Sequence, residues 1–172
     1  MRIIAGSRKG HTIQAPRGTD TRPTSDRVRE NVFNILGGVE GANVLDLYAG
    51  SGAMGLEALS RGAAHAVFVE RDADAIAAIE RNLDKLRLRA TVLRQDAVAV
   101  LAGETRKYDL VFVDPPYDMY TDLEPQLARH LPSVLADDAV VVVETDARVQ
   151  PSLPLEERTS RKYGSARVTV YG

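Results

Sequence analysis

From Asn43 onward the chain alternates short apolar runs with helical stretches, and this rhythm limits the possible folds more than any other feature. Asn43–Tyr48, His65–Glu70, Ala90–Arg94, Tyr108–Asp114 and Ala139–Thr145 read as strands, with helices over Ala53–Arg61, Asp72–Leu86, Asp96–Leu101 and Leu123–His130 between them. The alternation predicts an α/β fold, because each return to a parallel strand needs a crossover helix that then covers one face of the sheet. The tail breaks the pattern. Leu155–Lys162 and Ala166–Tyr171 flank Tyr163-Gly164-Ser165 and predict an antiparallel hairpin at the sheet edge, for a mainly parallel sheet of seven strands. Upstream, Arg2–Ala5 and His11–Gln14 predict a hairpin across Gly6–Gly10, and a helix runs from Thr24 or Ser25 to Gly37-Gly38. With 172 residues, 44% of them apolar, the chain reads as one compact unit in which an N-terminal extension (1–40) precedes the main domain (41–172).

In an open α/β sheet the ligand crevice lies beyond the carboxyl ends of the strands, so the residues that end each apolar run are the first place to look for function. They are Asp46, Glu70, Asp96 and Asp114. One acid at a strand end is usually a helix cap, whereas four along one edge suit a ligand with several hydroxyl and amino donors. Between the first two strands Gly50-Ser51-Gly52-Ala53-Met54-Gly55 forms a G-x-G-x-x-G that follows a strand and opens a helix, and Glu70 stands 20 residues beyond Gly50, where a ribose-binding acid is expected. This context predicts a nucleoside-containing cofactor.

The remaining residues choose among such cofactors. None of the six Tyr has a Lys four positions later, so a nicotinamide dehydrogenase lacks its proton donor. Asp46, four residues before Gly50, suits the ammonium end of a methionine moiety, which points to S-adenosylmethionine. There is no cysteine, which excludes disulfide scaffolds, thiolate metal sites and cysteine nucleophiles; the three His are widely spaced, and no metal is expected. No apolar run approaches the length of a membrane span or a secretory signal, which predicts a cytoplasmic protein without a membrane partner. The net charge of −2 hides an asymmetry: residues 1–29 hold seven basic against two acidic residues. A solvated tail is the ordinary explanation of such a run, and contact with nucleic-acid phosphates is the sharper one.

Asp114-Pro115-Pro116-Tyr117 ends the fourth strand. Two prolines stiffen the turn and remove two N–H donors, leaving carbonyls and a carboxylate beside an aromatic ring. That surface suits a planar exocyclic amine, held by the acceptors while Tyr117 stacks on its base. An aspartate with the ordinary pKa of about 3.9 is ionised at neutral pH and accepts both N–H groups.

With these residues the chain resembles class I S-adenosylmethionine-dependent amino-methyltransferases carrying a [D/N]-P-P-[Y/F] motif, and within them the bacterial RsmD-like guanine-N2 methyltransferases of small-subunit (16S) ribosomal RNA. The resemblance also covers Arg2–Gly6, Arg22-Pro23-Thr24, Asp26–Glu30, Phe33-Asn34 and Asp46–Gly52 running into Gly55–Ala63. It implies a Rossmann-like methyltransferase whose N-terminal hairpin grips RNA. Asp46, Tyr48, Ala49, Gly50, Ser51 and Gly52 would hold the methionine end, Glu70 and Arg71 the ribose, and Gln95, Asp96 and Ala97 the adenine. Arg22 and Thr24 would close the cofactor site, and Asp114 would border it. Asp114, Pro115, Pro116 and Tyr117 would act on the target guanine, while Arg8, Lys9 and Arg27 would contact phosphates. The substrate would be RNA within the small ribosomal subunit or an assembly intermediate, and the enzyme a monomer. The alternatives are an N6-adenine or N4-cytosine DNA methyltransferase, a small-molecule methyltransferase and a non-catalytic RNA- or nucleotide-binding module.

Overall fold

The computed structural model describes residues 1–17 and 24–172. A first helix, α1 (Asp26–Leu36), precedes the regular alternation of β1 (Asn43–Leu47), α2 (Ala53–Ser60), β2 (His65–Glu70), α3 (Ala73–Leu86), β3 (Thr91–Arg94), α4 (Ala97–Gly103) and β4 (Tyr108–Val113). A 3₁₀ turn (Tyr117–Met119) leads into α5 (Tyr120–His130), and β5 (Leu135–Asp146), β6 (Glu157–Tyr163) and β7 (Ala166–Tyr171) complete the chain. The seven strands form one sheet in the order β3-β2-β1-β4-β5-β7-β6. β1 to β5 pair in parallel, and β7 enters antiparallel between β5 and β6.

Each central strand is buried on both faces. Val44, Phe68, Phe112 and Val142 pack under Leu56 of α2 and Ile79 of α3, whereas Leu45, Val67, Val111 and Val141 pack under Val100 of α4 and Leu127 of α5. Period-two side-chain alternation thus feeds two apolar layers, which is why the strands read as continuous apolar runs. Ile3 and Ile13 join the first layer, so the N-terminal segment packs into the main core.

Helix starts follow local chemistry. Ser25, Asp72 and Asp96 accept from the backbone N–H of Val28, Ala75 and Ala99 and cap α1, α3 and α4. Three elements differ from the sequence expectation. The N-terminal hairpin is reduced to one antiparallel bridge, Arg2 to Thr12, with Ile3 and Ile13 N–H donating to the His11 and Met1 carbonyls; past it the N–H groups of Ile4 and Ala5 donate to the Glu57 carboxylate at 2.8 and 3.1 Å. α5 begins at Tyr120, three residues early, as a continuation of the 3₁₀ turn. β5 begins at Leu135, where Tyr108 pairs with it across a register shift.

Sheet order sets the site. The order reverses between β1 and β4, whose neighbours lie on opposite sides, and the crevice opens at the carboxyl ends of these two strands.

Candidate functional site

Register brings the strand-end acids together. Leu47 pairs with both Val69 and Val113, and Val113 pairs with Val143, so the ends of β1, β2, β4 and β5 are level. The acids then fall into two groups along one edge.

The first group surrounds the glycine loop. Glu70 accepts from Gly50 N–H at 3.0 Å through one oxygen and from Arg71 and Asp72 N–H through the other. Arg71, largely exposed, stands 3.8 Å from Asp96, and both charges act on Tyr48, whose hydroxyl pKa burial pushes up to about 12. Asp96 is exposed, Gln95 donates its N–H to the Glu70 carbonyl, and Ala97 is buried at the start of α4. Ser51 is buried, with its carbonyl accepting from Asn82. Gly52 accepts at its carbonyl from Leu56, and Ala49 N–H donates to Val69.

The residues fit a nucleoside-containing group. A side chain at Gly50 would meet nothing within 4 Å, so this glycine, at φ 58°, leaves open space where backbone can approach a ligand. Gly55 serves packing instead: a Cβ there would lie 2.4 Å from the Phe68 ring. The Tyr48 hydroxyl is buried and has no hydrogen-bond partner among the described residues, and Tyr48 itself adopts φ 57°, a strained conformation for a residue with a side chain. An orphaned polar atom beside an open glycine and a row of acceptors matches a ligand rich in hydroxyl and amino donors.

The second group lies where the sheet order reverses. Asp46 is buried and accepts from Gly55 N–H at 3.0 Å. Burial, with Glu70 nearby, pushes its carboxyl up to about 8. Asp114 follows β4, keeps part of its surface at the crevice and stands, like Glu144 on β5, one residue beyond the Val113–Val143 pair. Enclosure by protein, then the Glu144 and Asp46 charges, hold its carboxyl well above the usual range. This departs from the sequence expectation of an ordinary ionised aspartate, because three acids share one poorly hydrated place. Pro115 is buried, Pro116 is extended and exposed, and the Tyr117 ring remains 36% exposed at the mouth.

Glu144 escapes a search for acids that end apolar runs, since Thr145 follows it within β5. It lies one residue beyond the Val113–Val143 pair, level with Asp114. Its Oε1 accepts from the Tyr117 hydroxyl at 3.1 Å and its Oε2 from the Thr24 hydroxyl at 3.0 Å. Thr24 therefore reaches the crevice, while Arg22 lies outside the described residues. Thr24, Asp114 and Glu144 line a cavity walled by Val28, Val32 and Met54.

The proposed phosphate contacts divide. Arg27 is exposed in the first turn of α1, three residues after Thr24. Arg8 is elsewhere: its guanidinium donates to the carbonyls of Leu86 and Arg87 at the C-terminus of α3, with Lys9 exposed next to it. α3 starts at the crevice edge and has 14 residues, which puts its far end about 21 Å away.

The family profile described as Conserved hypothetical protein 95 matches residues 1–172. The Escherichia coli (strain K12) protein named Ribosomal RNA small subunit methyltransferase D is 40% identical over 156 residues, 90% of this chain and 78% of that protein. Its namesake in Haemophilus influenzae is 31% identical over 183 residues, covering 99% of this chain and 91% of that one. The solved structure of Escherichia coli yhhF superimposes with a TM-score of 0.85 at 34% identity, covering 99% of this chain and 96% of that chain.

Proposed function

Because the chain belongs to the Conserved hypothetical protein 95 family, alongside ribosomal RNA small subunit methyltransferase D, we propose that it methylates the exocyclic N2 amine of a guanine in 16S ribosomal RNA. It is an S-adenosylmethionine-dependent rRNA methyltransferase with a Rossmann-like fold. The observation that carries the residue assignment is that Asp46, paired with Phe112, and Asp114, two residues further on, stand on the neighbouring strands β1 and β4 at the reversal of strand order, with Tyr117 exposed just beyond.

S-adenosylmethionine, when bound, supplies a methyl group already activated on a sulfonium. The chain therefore mainly has to align donor and acceptor, and orientation can lower a barrier by about 7–11 kcal/mol without a covalent intermediate. Asp46 and the Tyr48–Gly52 loop would hold the methionine end, Glu70 with Arg71 the ribose, and Asp96 with its neighbours Gln95 and Ala97 the adenine. The row of acceptors and the orphaned Tyr48 hydroxyl support this order along the edge. Asp114 and the Pro115 carbonyl would take the two N–H groups of the target amine, drawing it toward the pyramidal, nucleophilic form. The exposed Tyr117 ring would stack on the extruded base. The exposed Arg27 of α1 supports RNA binding. Folded RNA in the small subunit or its assembly intermediate is the preferred substrate in this reading, since so small a protein recognises shape beyond one base. The enzyme acts as a monomer in the cytoplasm.

Transfer of labelled methyl to unmodified small subunits, naked RNA and duplex DNA, followed by nucleoside mass analysis, tests the proposal. N2-methylguanosine from subunits is the expected product. Label confined to DNA, or recovered as methyladenosine, would overturn the substrate while leaving fold and cofactor intact.

A further inference from the structure

The carboxyl edge of the sheet changes sign along its length. From β1 to β5 it carries acids: Asp46, Glu70 and Asp114, with Asp96 beyond β3 and Glu144 within β5. Past β5 come β7 and then β6, and their hairpin turns on this same edge, since Tyr163 pairs with Ala166 and Ala166 with Asp146 at the end of β5. Here the charged residues are cations. Arg161 pairs with Val168 and Val168 with Glu144, which stands one residue beyond the Val113–Val143 pair as Asp114 does. Asp114, Glu144, Val168 and Arg161 thus form one row across four strands, and three strand spacings put Arg161 about 14 Å from Asp114. Lys162 pairs with Arg167 on the opposite face of the hairpin. Arg161 and Lys162 are exposed, and neither of them nor Arg167 forms an ion pair among the described residues. Arg167 braces the tip, donating to the Ala147 carbonyl at 3.2 Å and the Ser160 hydroxyl at 2.9 Å. Asp146 is already paired with Arg148 at 2.9 Å. The acids of the hairpin lie elsewhere: Glu157 pairs with Tyr171 at the far end of β6, about 16 Å along the strand from Lys162, and Glu156 precedes it.

Charges on an edge strand deter pairing with other sheets, but that role needs neither a single sign nor a single end of the strand. Segregation of cations to the tip points to a polyanion laid across it. Phosphates are repelled along β1 to β4 and attracted past β5, so an RNA that presents a guanine to Asp114 gains by running its backbone toward β6. We propose that the C-terminal hairpin is the RNA-docking arm of this protein, with Arg161 and Lys162 holding phosphates that flank the target guanine and Arg167 fixing the tip. RNA then crosses the edge of β5, β7 and β6, while the cofactor takes the edge of β1, β2 and β3. The division keeps the polyanion away from the acids that hold the methyl donor. Such contacts set the register of the RNA and leave the choice of base to the site itself.

The proposal rests on the methyltransferase reading and deepens it. The test uses the full chain with unmodified small subunits and with 16S ribosomal RNA. It compares wild type, Arg161→Gln combined with Lys162→Gln, and Arg158→Gln near the acidic end of β6. The double variant should bind RNA about tenfold more weakly near physiological salt, with a salt slope smaller by about two. Its KM for RNA should rise in step, while kcat at saturating RNA and the affinity for S-adenosylmethionine stay within about twofold, because phosphate contacts hold ground and transition states alike. Arg161→Lys combined with Lys162→Arg should bind as wild type does, and so should Arg158→Gln. Unchanged RNA affinity and salt slope in the double variant, or an equal loss in Arg158→Gln, would overturn the docking arm. A second measurement needs no substitution: RNA should slow acetylation of wild-type Lys162 and spare Lys107, which precedes β4 at the opposite end of the sheet. Equal shielding of both lysines, or of neither, would also overturn it. A wild-type protein that shows these RNA effects yet forms no N2-methylguanosine would sink the guanine reading and leave the docking arm standing.

Discussion

Arg29 of α1 and Glu57 of α2 form an ion pair at 3.2 Å with both side chains fully buried. Glu57 also accepts from Ile4 and Ala5 N–H and from Arg61, while Arg29 donates to the Arg2 carbonyl and to Asp26. Two charges out of water are tolerable only with such a set of partners, and removing one partner strands the other. Glu57→Ala should therefore cost about 3–5 kcal/mol in urea unfolding, and amide exchange at Ile4 and Ala5 should accelerate. A loss of less than about 1 kcal/mol would mean that the pair does not anchor the N-terminal segment.

Asp46 sets a pH dependence. Its folded carboxyl is pushed up to about 8 by burial, above its unfolded value, so the native state binds the extra proton between the two. Its contribution to stability is full below about pH 4 and is lost as pH rises through about 8. Asp46→Asn should remove this loss: from pH 5 to pH 8 the variant should gain stability relative to wild type in urea titrations. Parallel titration curves would contradict it. Since the proposed partner of Asp46 is an ammonium group, cofactor binding at neutral pH should also release protons, seen as a buffer-dependent heat in calorimetry.

Gly55 separates α2 from the Phe68 ring of β2. A Cβ would sit 2.4 Å from a ring carbon, and that ring is fully buried. Gly55→Ala should destabilise the protein by about 1–3 kcal/mol through overpacking. Adding Phe68→Leu should return part of that loss in a double-mutant cycle, and strict additivity would place the cause elsewhere.

Arg8 and Arg27 carry the same charge with different prospects. Arg8 donates to the backbone carbonyls at the end of α3, whereas Arg27 is exposed in the first turn of α1. Arg27→Ala should weaken RNA binding and reduce its salt slope by about one unit while leaving the melting temperature alone. Arg8→Ala should lower the melting temperature with little change in the salt slope. The reverse pattern would place the RNA across the α3 end.

The periodic strands and helices, the three caps and the glycine loop were legible in the sequence because each is a local pattern: side-chain period, a capping side chain, a turn that needs glycine. Asp46, Glu70 and Asp114 were legible for the same reason, standing at the ends of apolar runs. Glu144 was not, since Val143 and Thr145 flank it within a strand and only the pairing of β4 with β5 makes it level with Asp114. Nor could chain order reveal that Thr24 would meet a residue 120 positions away, or that Glu57 would take the N–H groups of Ile4 and Ala5. Even the upward push on the Asp114 carboxyl depended on this assembly. The sequence by itself determined the elements and the acids they end in; tertiary structure decided which acids stand side by side, because strand register and exclusion of water arise only when distant segments pack.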